Sequence, residues 1–165
     1  MRTLLLCVLA LCSHVMSMTA QVTGRIEYPY RADYEDQLVL PIGDKGLVIQ
    51  SFAKDSKAGK RYFKTEFYST MMTPVSTDSM LIDKGMYYYS NIVDNGVLYT
   101  VLRESDGTFM IVAFNATTHK ITVTDGEYTR KGTMRNLIIS NDNVVFSSTQ
   151  KKIDRIGIIN LKTGE

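Results

Sequence analysis

The chain has 165 residues, of which 19 are Lys or Arg and 17 are Asp or Glu, and its formal net charge is +2. Basic residues never occur more than two in a row, so the sequence lacks the basic stripe that nucleic-acid-binding proteins normally carry. This length suffices for one domain with its own hydrophobic core.

Residues 1–20 have the layout of a cleaved secretory signal peptide. Arg2 supplies the positive charge, the apolar run 4–11 follows, and small residues precede a predicted cleavage site between Ala20 and Gln21. The run is too short to span a bilayer, and no later stretch is long and apolar enough to do so. We therefore expect an exported protein, periplasmic or at the cell surface, with no transmembrane segment after signal removal. The alternative is that the run forms a buried N-terminal strand or helix.

Both cysteines of the chain, Cys7 and Cys12, lie inside the predicted signal peptide. Lipid anchoring through Cys12 is not predicted. A small residue normally precedes a lipidated Cys, whereas the bulky Leu11 precedes Cys12 here. The remainder of the chain then has no disulfide, no thiolate nucleophile and no Cys-based metal site. This composition is typical of an exported bacterial protein.

Residues 21–37 are predicted to form an N-terminal arm or strand. Tyr28, Tyr30 and Tyr34 are interleaved there with charged residues. Such tyrosines either pack their rings on a sheet edge or contact a ligand.

Residues 38–84 predict a unit of four strands, because short apolar or alternating runs are separated by Gly, Asp and Lys. The expected strands are 38–42, 47–52, 61–68 and 79–82, with a turn at 43–46 and a solvated loop at 54–60.

Residues 85–133 repeat this pattern with strands at 86–92, 97–103, 108–114 and 119–124. Asp94-Asn95-Gly96 lies between two apolar runs, and Asn-Gly in that context is the strongest short signal of a hairpin.

Residues 134–165 supply strands at 137–140, 144–149 and 153–161, and no fourth strand follows. The units repeat at similar offsets, since Asp94 follows Asp44 by 50 residues and Val144 follows Val97 by 47. No α-helix is predicted beyond the signal, because no segment combines helical spacing of apolar residues with capping signals.

Units of this length built as four-stranded meanders resemble the blades of β-propellers. The ending 158–165, Ile-Ile-Asn-Leu-Lys-Thr-Gly-Glu, is similar to the third-strand ending of quinoprotein-like and WD40-like blades. The resemblance implies an all-β fold of consecutive antiparallel meanders, about 2.75 blades at 38–84, 85–133 and 134–165. It also implies that the chain is the N-terminal part of a larger propeller. The alternative is a complete β-barrel or sandwich.

No catalytic, cofactor-binding or metal-binding residue is predicted. His119 is the one histidine beyond the signal, and a strand entrance beside Lys120 favours an exposed structural role. Ser105-Asp106-Gly107 is similar to the Asp box of sialidase propellers but lacks its spacing and its Trp, which favours a hairpin turn. Asp44, Asp94 and Asp142 recur at one corner of each unit, so they could line an acidic binding rim, although Asp is also common in turns.

These features predict an exported, non-catalytic binding or scaffolding propeller that recognises a protein or glycan ligand. The alternative is a propeller hydrolase acting on glycans or peptides, with catalytic residues in blades outside this sequence. A third hypothesis is a standalone barrel that binds a small apolar ligand.

Overall fold

The computed structural model describes Glu27 and residues 32–105, 107–127, 133–140 and 142–163. The predicted signal peptide, Cys12 and most of the predicted arm lie outside these residues. Within the described ranges there are eleven strands, a 3-10 turn at Gly43–Lys45 and no helix long and apolar enough to span a membrane. The strands are β1 (Tyr34–Pro41), β2 (Leu47–Lys57), β3 (Lys60–Tyr68), β4 (Pro74–Asp83), β5 (Tyr87–Asp94), β6 (Val97–Arg103), β7 (Thr108–Asn115), β8 (Lys120–Glu127), β9 (Thr133–Ser140), β10 (Asn143–Gln150) and β11 (Ile153–Asn160).

The strands form three antiparallel sheets, and within each sheet neighbours in sequence are neighbours in space. The first sheet has the order β1-β2-β3-β4, the second β5-β6-β7-β8 and the third β11-β10-β9. This arrangement confirms the all-β class and the prediction of consecutive antiparallel meanders. Among the described residues the third sheet has three strands, as the sequence predicts.

Three strand boundaries in the first sheet differ clearly from the sequence prediction. The first strand begins at Tyr34, inside the predicted arm or strand 21–37, rather than at Leu38. The predicted loop 54–60 is wrong, because β2 continues to Lys57 and a two-residue turn at Ala58 and Gly59 leads directly into β3. Both turn residues have positive φ, 50° and 75°, as a tight hairpin requires. The fourth strand begins at Pro74 rather than Ser79. The segments missed in β2 and β4 are largely exposed and polar, so they lack the alternating apolar residues that indicate a strand.

The first and second sheets stack face to face through two apolar clusters. Toward the β1–β2 turn, residues of the first sheet meet Leu98 and Phe114 of the second, and the rings of Phe67 and Phe114 lie 5.3 Å apart. Toward the other end, Phe52 and Phe63 pack with residues of β6 and β7. Alternation of side chains along β6 and β7 provides one apolar face for this contact and leaves a second for the third sheet.

The second and third sheets stack through a single cluster centred on Phe109 and Phe146, whose rings meet edge to face at 5.5 Å. Each ring lies over a glycine on the neighbouring strand, because Phe109 pairs with Gly126 and Phe146 with Gly157. A Cβ atom at either glycine would lie 2.3 Å from the ring, so no other residue fits these positions without movement. An aromatic ring over a glycine therefore occurs in both sheets, between β7 and β8 in the second and between β10 and β11 in the third.

Polar side chains also join the first two sheets within their buried interface. Thr100 donates a hydrogen bond to Gln50 Oε1 at 2.9 Å, and both side chains are buried. Arg61 Nη2 donates a hydrogen bond at 2.5 Å to the carbonyl of Met86, just before β5. Within the first sheet the Arg61 guanidinium is held by the Phe52 ring, whose centroid lies 4.2 Å from Cζ, and by Glu35 at 2.7 Å. Because a buried polar group that loses its partner is costly, these contacts favour one alignment of the two sheets.

Candidate functional site

The turn between the first two strands is at the same end of each sheet. In the second sheet Asn95 and Gly96 have φ values of 48° and 75°, which confirms the predicted Asn-Gly hairpin. The carbonyl of Gly96 accepts a hydrogen bond from Ala116 N at 3.0 Å, and the carbonyl of Asp142 accepts one from Leu161 N at 2.7 Å. Asp142 is therefore the counterpart of Gly96 in the third sheet.

This equivalence corrects the repeat offset that the sequence predicts. Val97 pairs with Asn115 and Asn143 pairs with Asn160, so Val97 corresponds to Asn143 rather than to Val144. The predicted spacing between the two strands is therefore one residue too long. Val97 and Val144 are alike in being apolar, but Val97 is the first residue of β6 and Val144 is the second residue of β10. Such a slip matters because neighbouring residues of a strand point to opposite faces.

The three recurring aspartates consequently occupy different positions in their turns. Asp44 lies in the 3-10 turn, Asp94 is the last residue of β5, and Asp142 directly precedes β10. The Asp44 side chain is 87% exposed, and its carboxylate lies 3.8 Å from the Lys45 ammonium. The structure thus does not place the three carboxylates in register.

Asp94 and Asp142 instead influence the same side chain, Tyr99 of β6. Tyr99 is 8% exposed and belongs to the cluster that packs against the third sheet. Burial raises the pKa of the Tyr99 hydroxyl, and the charges of Asp142 and Asp94 raise it further. The hydroxyl therefore stays protonated, with a proton to donate, beside two carboxylates.

Tyr99 lines a groove of about 550 Å³ between the second and third sheets. Apolar side chains of Val97, Ala113 and Leu161 contribute to its lining. Hydroxyl and charged groups supply the remainder, among them those of Thr118, Lys120, Thr122 and Asp142. The groove thus combines an apolar surface with several hydrogen-bonding groups.

Two equivalent turns border this groove. Asn115 Oδ1 accepts hydrogen bonds from the amides of Thr117 and Thr118, both at 2.9 Å. Asn160 Oδ1 accepts bonds from the two corresponding amides of the third sheet, at 2.9 and 3.2 Å. An Asn side chain that bonds amides two and three residues ahead fixes a tight turn. The groove is therefore built on backbone held by local hydrogen bonds.

Lys162 lies at the edge of the groove and pairs with Asp142, with its Nζ 2.6 Å from Oδ2. The hydrogen bond to Asp142 and the charge of that carboxylate raise the pKa of Lys162. Across the groove, Thr124 Oγ1 lies 3.5 Å from the Leu161 carbonyl and joins β8 to the third sheet. Sequence reasoning missed Tyr99, Thr124 and Lys162, because only the stacking of two sheets brings them together.

His119 lies outside the groove lining that the structure defines. It is exposed, has a φ of 56° in the turn before β8, and its ring centroid lies 5.4 Å from that of Phe67. The turn after β6 includes Ser105 and Gly107, whereas Asp106 lies outside the described residues. Nowhere in the described part of the chain do three His, Cys, Asp or Glu side chains converge as metal ligands would.

Tyr34 is the one tyrosine of the predicted arm within the described residues. It belongs to β1, is partly buried, and has the Lys64 ammonium 5.6 Å from its ring centroid. It also lines a second groove, of about 580 Å³, beside Ala53, Tyr62 and Leu81 of the first sheet. Tyr28 and Tyr30 lie outside the described residues.

Comparison of the chain with protein-family models, with curated proteins and with solved structures finds no match. The features of the chain that bear on its function are the three stacked sheets and the groove between the second and the third.

Proposed function

We propose that this chain is an exported, non-catalytic binding or scaffolding protein whose stacked sheets are blades of the β-propeller kind. Three observations support the propeller arrangement: the meander order of the sheets, their face-to-face stacking and the equivalent turns at one end. The groove at Tyr99 is its ligand site. A glycan or an extended segment of a protein is the ligand class.

The groove lining is the observation that carries this proposal. In this lining the side chains of Tyr99 and Lys120 can donate hydrogen bonds to a ligand, Asp142 can accept them, and threonine hydroxyls can do both. The apolar surface of Val97 and Leu161 suits the CH groups of a sugar ring or of an aliphatic side chain. The charged groups of the lining are Lys120, Lys162 and Asp142, and Lys162 pairs with Asp142, so the lining carries little net charge, which favours a polar ligand over a polyanion.

The surroundings of Asp142 and Tyr99 suit hydrogen bonding to a ligand. The Asp142 carboxylate lies 2.6 Å from the Lys162 ammonium, and a carboxylate has further lone pairs that can accept hydrogen bonds. Tyr99, with a raised pKa, is suited to donate its hydroxyl proton to a ligand oxygen in a hydrogen bond.

An array of glycans and peptides probed with the wild-type chain tests the proposal, with Asp142→Asn as the groove variant. Asn tolerates the positive φ of 61° at this position, so the substitution removes the charge and keeps the turn. We expect affinity for the bound ligand to fall by at least about tenfold, as for the loss of one charged hydrogen bond. Asp44→Asn is the matched control, since it removes an exposed turn carboxylate outside the groove.

Two results would overturn the proposal in different ways. Equal ligand affinity in wild type and Asp142→Asn would remove the groove as the binding site. Turnover of an array glycan or peptide by the wild-type chain would replace the binding function with that of a hydrolase.

A further inference from the structure

The third sheet has one face covered by the second sheet and one face that no described strand covers. On the uncovered face, the side chains of Ile138, Ile156 and Ile158 are 61%, 76% and 64% exposed. Val145 lies between them, because it pairs with Ile138 on one side and with Ile158 on the other. These four branched residues form a contiguous apolar surface, here termed the isoleucine face.

The isoleucine face continues a sheet-stacking interface that the structure already contains. Because Asn160 corresponds to Asn115, Ile156 and Ile158 of β11 correspond to Ile111 and Ala113 of β7. Ile111 is 1% exposed, since the third sheet packs against it. The third sheet thus presents on its open face the same positions that the second sheet uses to bind a neighbouring sheet.

We propose that the isoleucine face binds the isoleucine face of a second copy of this chain across a two-fold axis. Such an interface must be complementary to itself. Along β10, Phe146 and Ser148 are buried, so Ser147 and Thr149 between and after them point to the open face. Arg135 pairs with Ser147 and Asp154 pairs with Thr149, so both charged residues also lie on the isoleucine face. One face therefore carries both a cation and an anion, and apposed copies can pair them.

The opposite end of the stack is a poorer partner for the isoleucine face. The outer face of the first sheet carries Lys64 and Glu66, which form an ion pair at 2.8 Å with both side chains largely buried. Pressing isoleucines onto that pair would remove its remaining solvation, which is unfavourable. Self-association through the third sheet avoids this cost.

The size of the face sets the expected strength of the dimer. Three strands of 8 residues, with strands about 4.8 Å apart and a rise of about 3.3 Å per residue, cover roughly 400 Å² in each copy. About 800 Å² in the pair is below the area of about 1,200 Å² at which stable interfaces begin, and it falls in the range of weak, transient ones. We therefore expect a weak, rapidly reversible dimer with a dissociation constant in the range of about 100 μM or above.

Sedimentation equilibrium over a wide range of concentration tests the proposal, using the chain as recovered from the producing cell with its N-terminus identified by mass spectrometry. Wild type should dimerise, and Ile156→Thr with Ile158→Thr should raise the dissociation constant by at least about tenfold, since each copy loses apolar contact. Thr retains the β-branched shape and strand preference. The matched control is Val39→Thr with Leu81→Thr, which replaces exposed aliphatic residues of the first sheet.

Ile138→Thr separates face pairing from pairing of β11 edges. Ile138 belongs to β9, two strands away from that edge, so only face-to-face association depends on it. Weakening by this single substitution, with the control unchanged, supports the proposal. A wild-type monomer at all concentrations overturns it, as does weakening by Val39→Thr with Leu81→Thr or insensitivity to Ile138→Thr. Unfolding curves of all variants show whether each is folded.

Discussion

The second and third sheets are built alike but buried differently. Both carry an aromatic ring over a glycine and the Asn-fixed turn, yet half of the β7 residues are buried and none is exposed, whereas most of the β11 residues are exposed. The second sheet has a neighbour on both faces and a fourth strand beside β7. The comparison shows that the apolar residues of a strand gain their stability from the sheets around it, and not from the strand itself.

Truncation of equivalent isoleucines should show the biggest difference between the two sheets. Ile111→Ala removes a side chain that is 1% exposed at the interface with the third sheet and should lower the free energy of unfolding by about 2–5 kcal/mol. Ile156→Ala removes exposed atoms and should change it by less than about 0.5 kcal/mol. Denaturant unfolding at concentrations too low for self-association measures both.

Equal losses in these two variants would show that the isoleucine face is covered within a single copy. The slope of free energy against denaturant concentration should match wild type in both, since a changed slope would indicate a change in the area exposed on unfolding.

The paired glycines provide a second comparison. Gly126→Ala places a Cβ 2.3 Å from the Phe109 ring and 2.9 Å from Ile159, so we expect a loss of about 1–3 kcal/mol. Gly157→Ala creates the same contact with Phe146, but the three atoms nearest to its Cβ all belong to that one ring, whereas Gly126 also meets Ile159 of the neighbouring sheet. Thermal unfolding should therefore show a smaller loss for Gly157→Ala. The reverse order would mean that the contact with Ile159 does not add to the cost of the Cβ at Gly126.

Ionisation of Tyr99 at alkaline pH should give the smallest change in the free energy of unfolding. Its pKa is raised above 10.0 in the folded chain, so the unfolded chain ionises first as the pH increases. The stability that the neutral hydroxyl contributes is complete below pH 10.0 and is lost as the pH rises toward the folded pKa. Above pH 10.0, wild type should lose up to about 1.4 kcal/mol per pH unit more than Tyr99→Phe.

Denaturant unfolding at several alkaline pH values measures this difference. Subtracting the Tyr99→Phe curve from that of wild type removes the contributions of Tyr88, whose pKa burial also raises, and of Lys162. If the free energies of unfolding of wild type and Tyr99→Phe changed in parallel with pH, the pKa of the Tyr99 hydroxyl would not be raised in the folded chain.

The strands and turns were predictable wherever the sequence signals were local. Asn95-Gly96 predicts a tight hairpin because both residues tolerate positive φ, and the apolar runs around it predict β5 and β6. The end of β2 and the start of β4 were not predictable, because Lys57 and Ser76 are in strands through pairing with Lys60 and Phe67 rather than through an apolar pattern of their own. The predicted signal peptide lies outside the described residues and stays a prediction.

By itself the sequence determined the all-β class, the consecutive meanders and the turn positions, since each depends on residues close together in the chain. Only the tertiary structure decided which faces are covered, and with them the environment of Tyr99, the groove beside Lys162 and the exposure of Ile156. Neighbouring strand residues point to opposite faces, so a one-residue difference in register exchanges core and surface. Val97 and Asn143 illustrate the point. They are equivalent because each pairs with the last residue of the following strand, although one is apolar and the other polar.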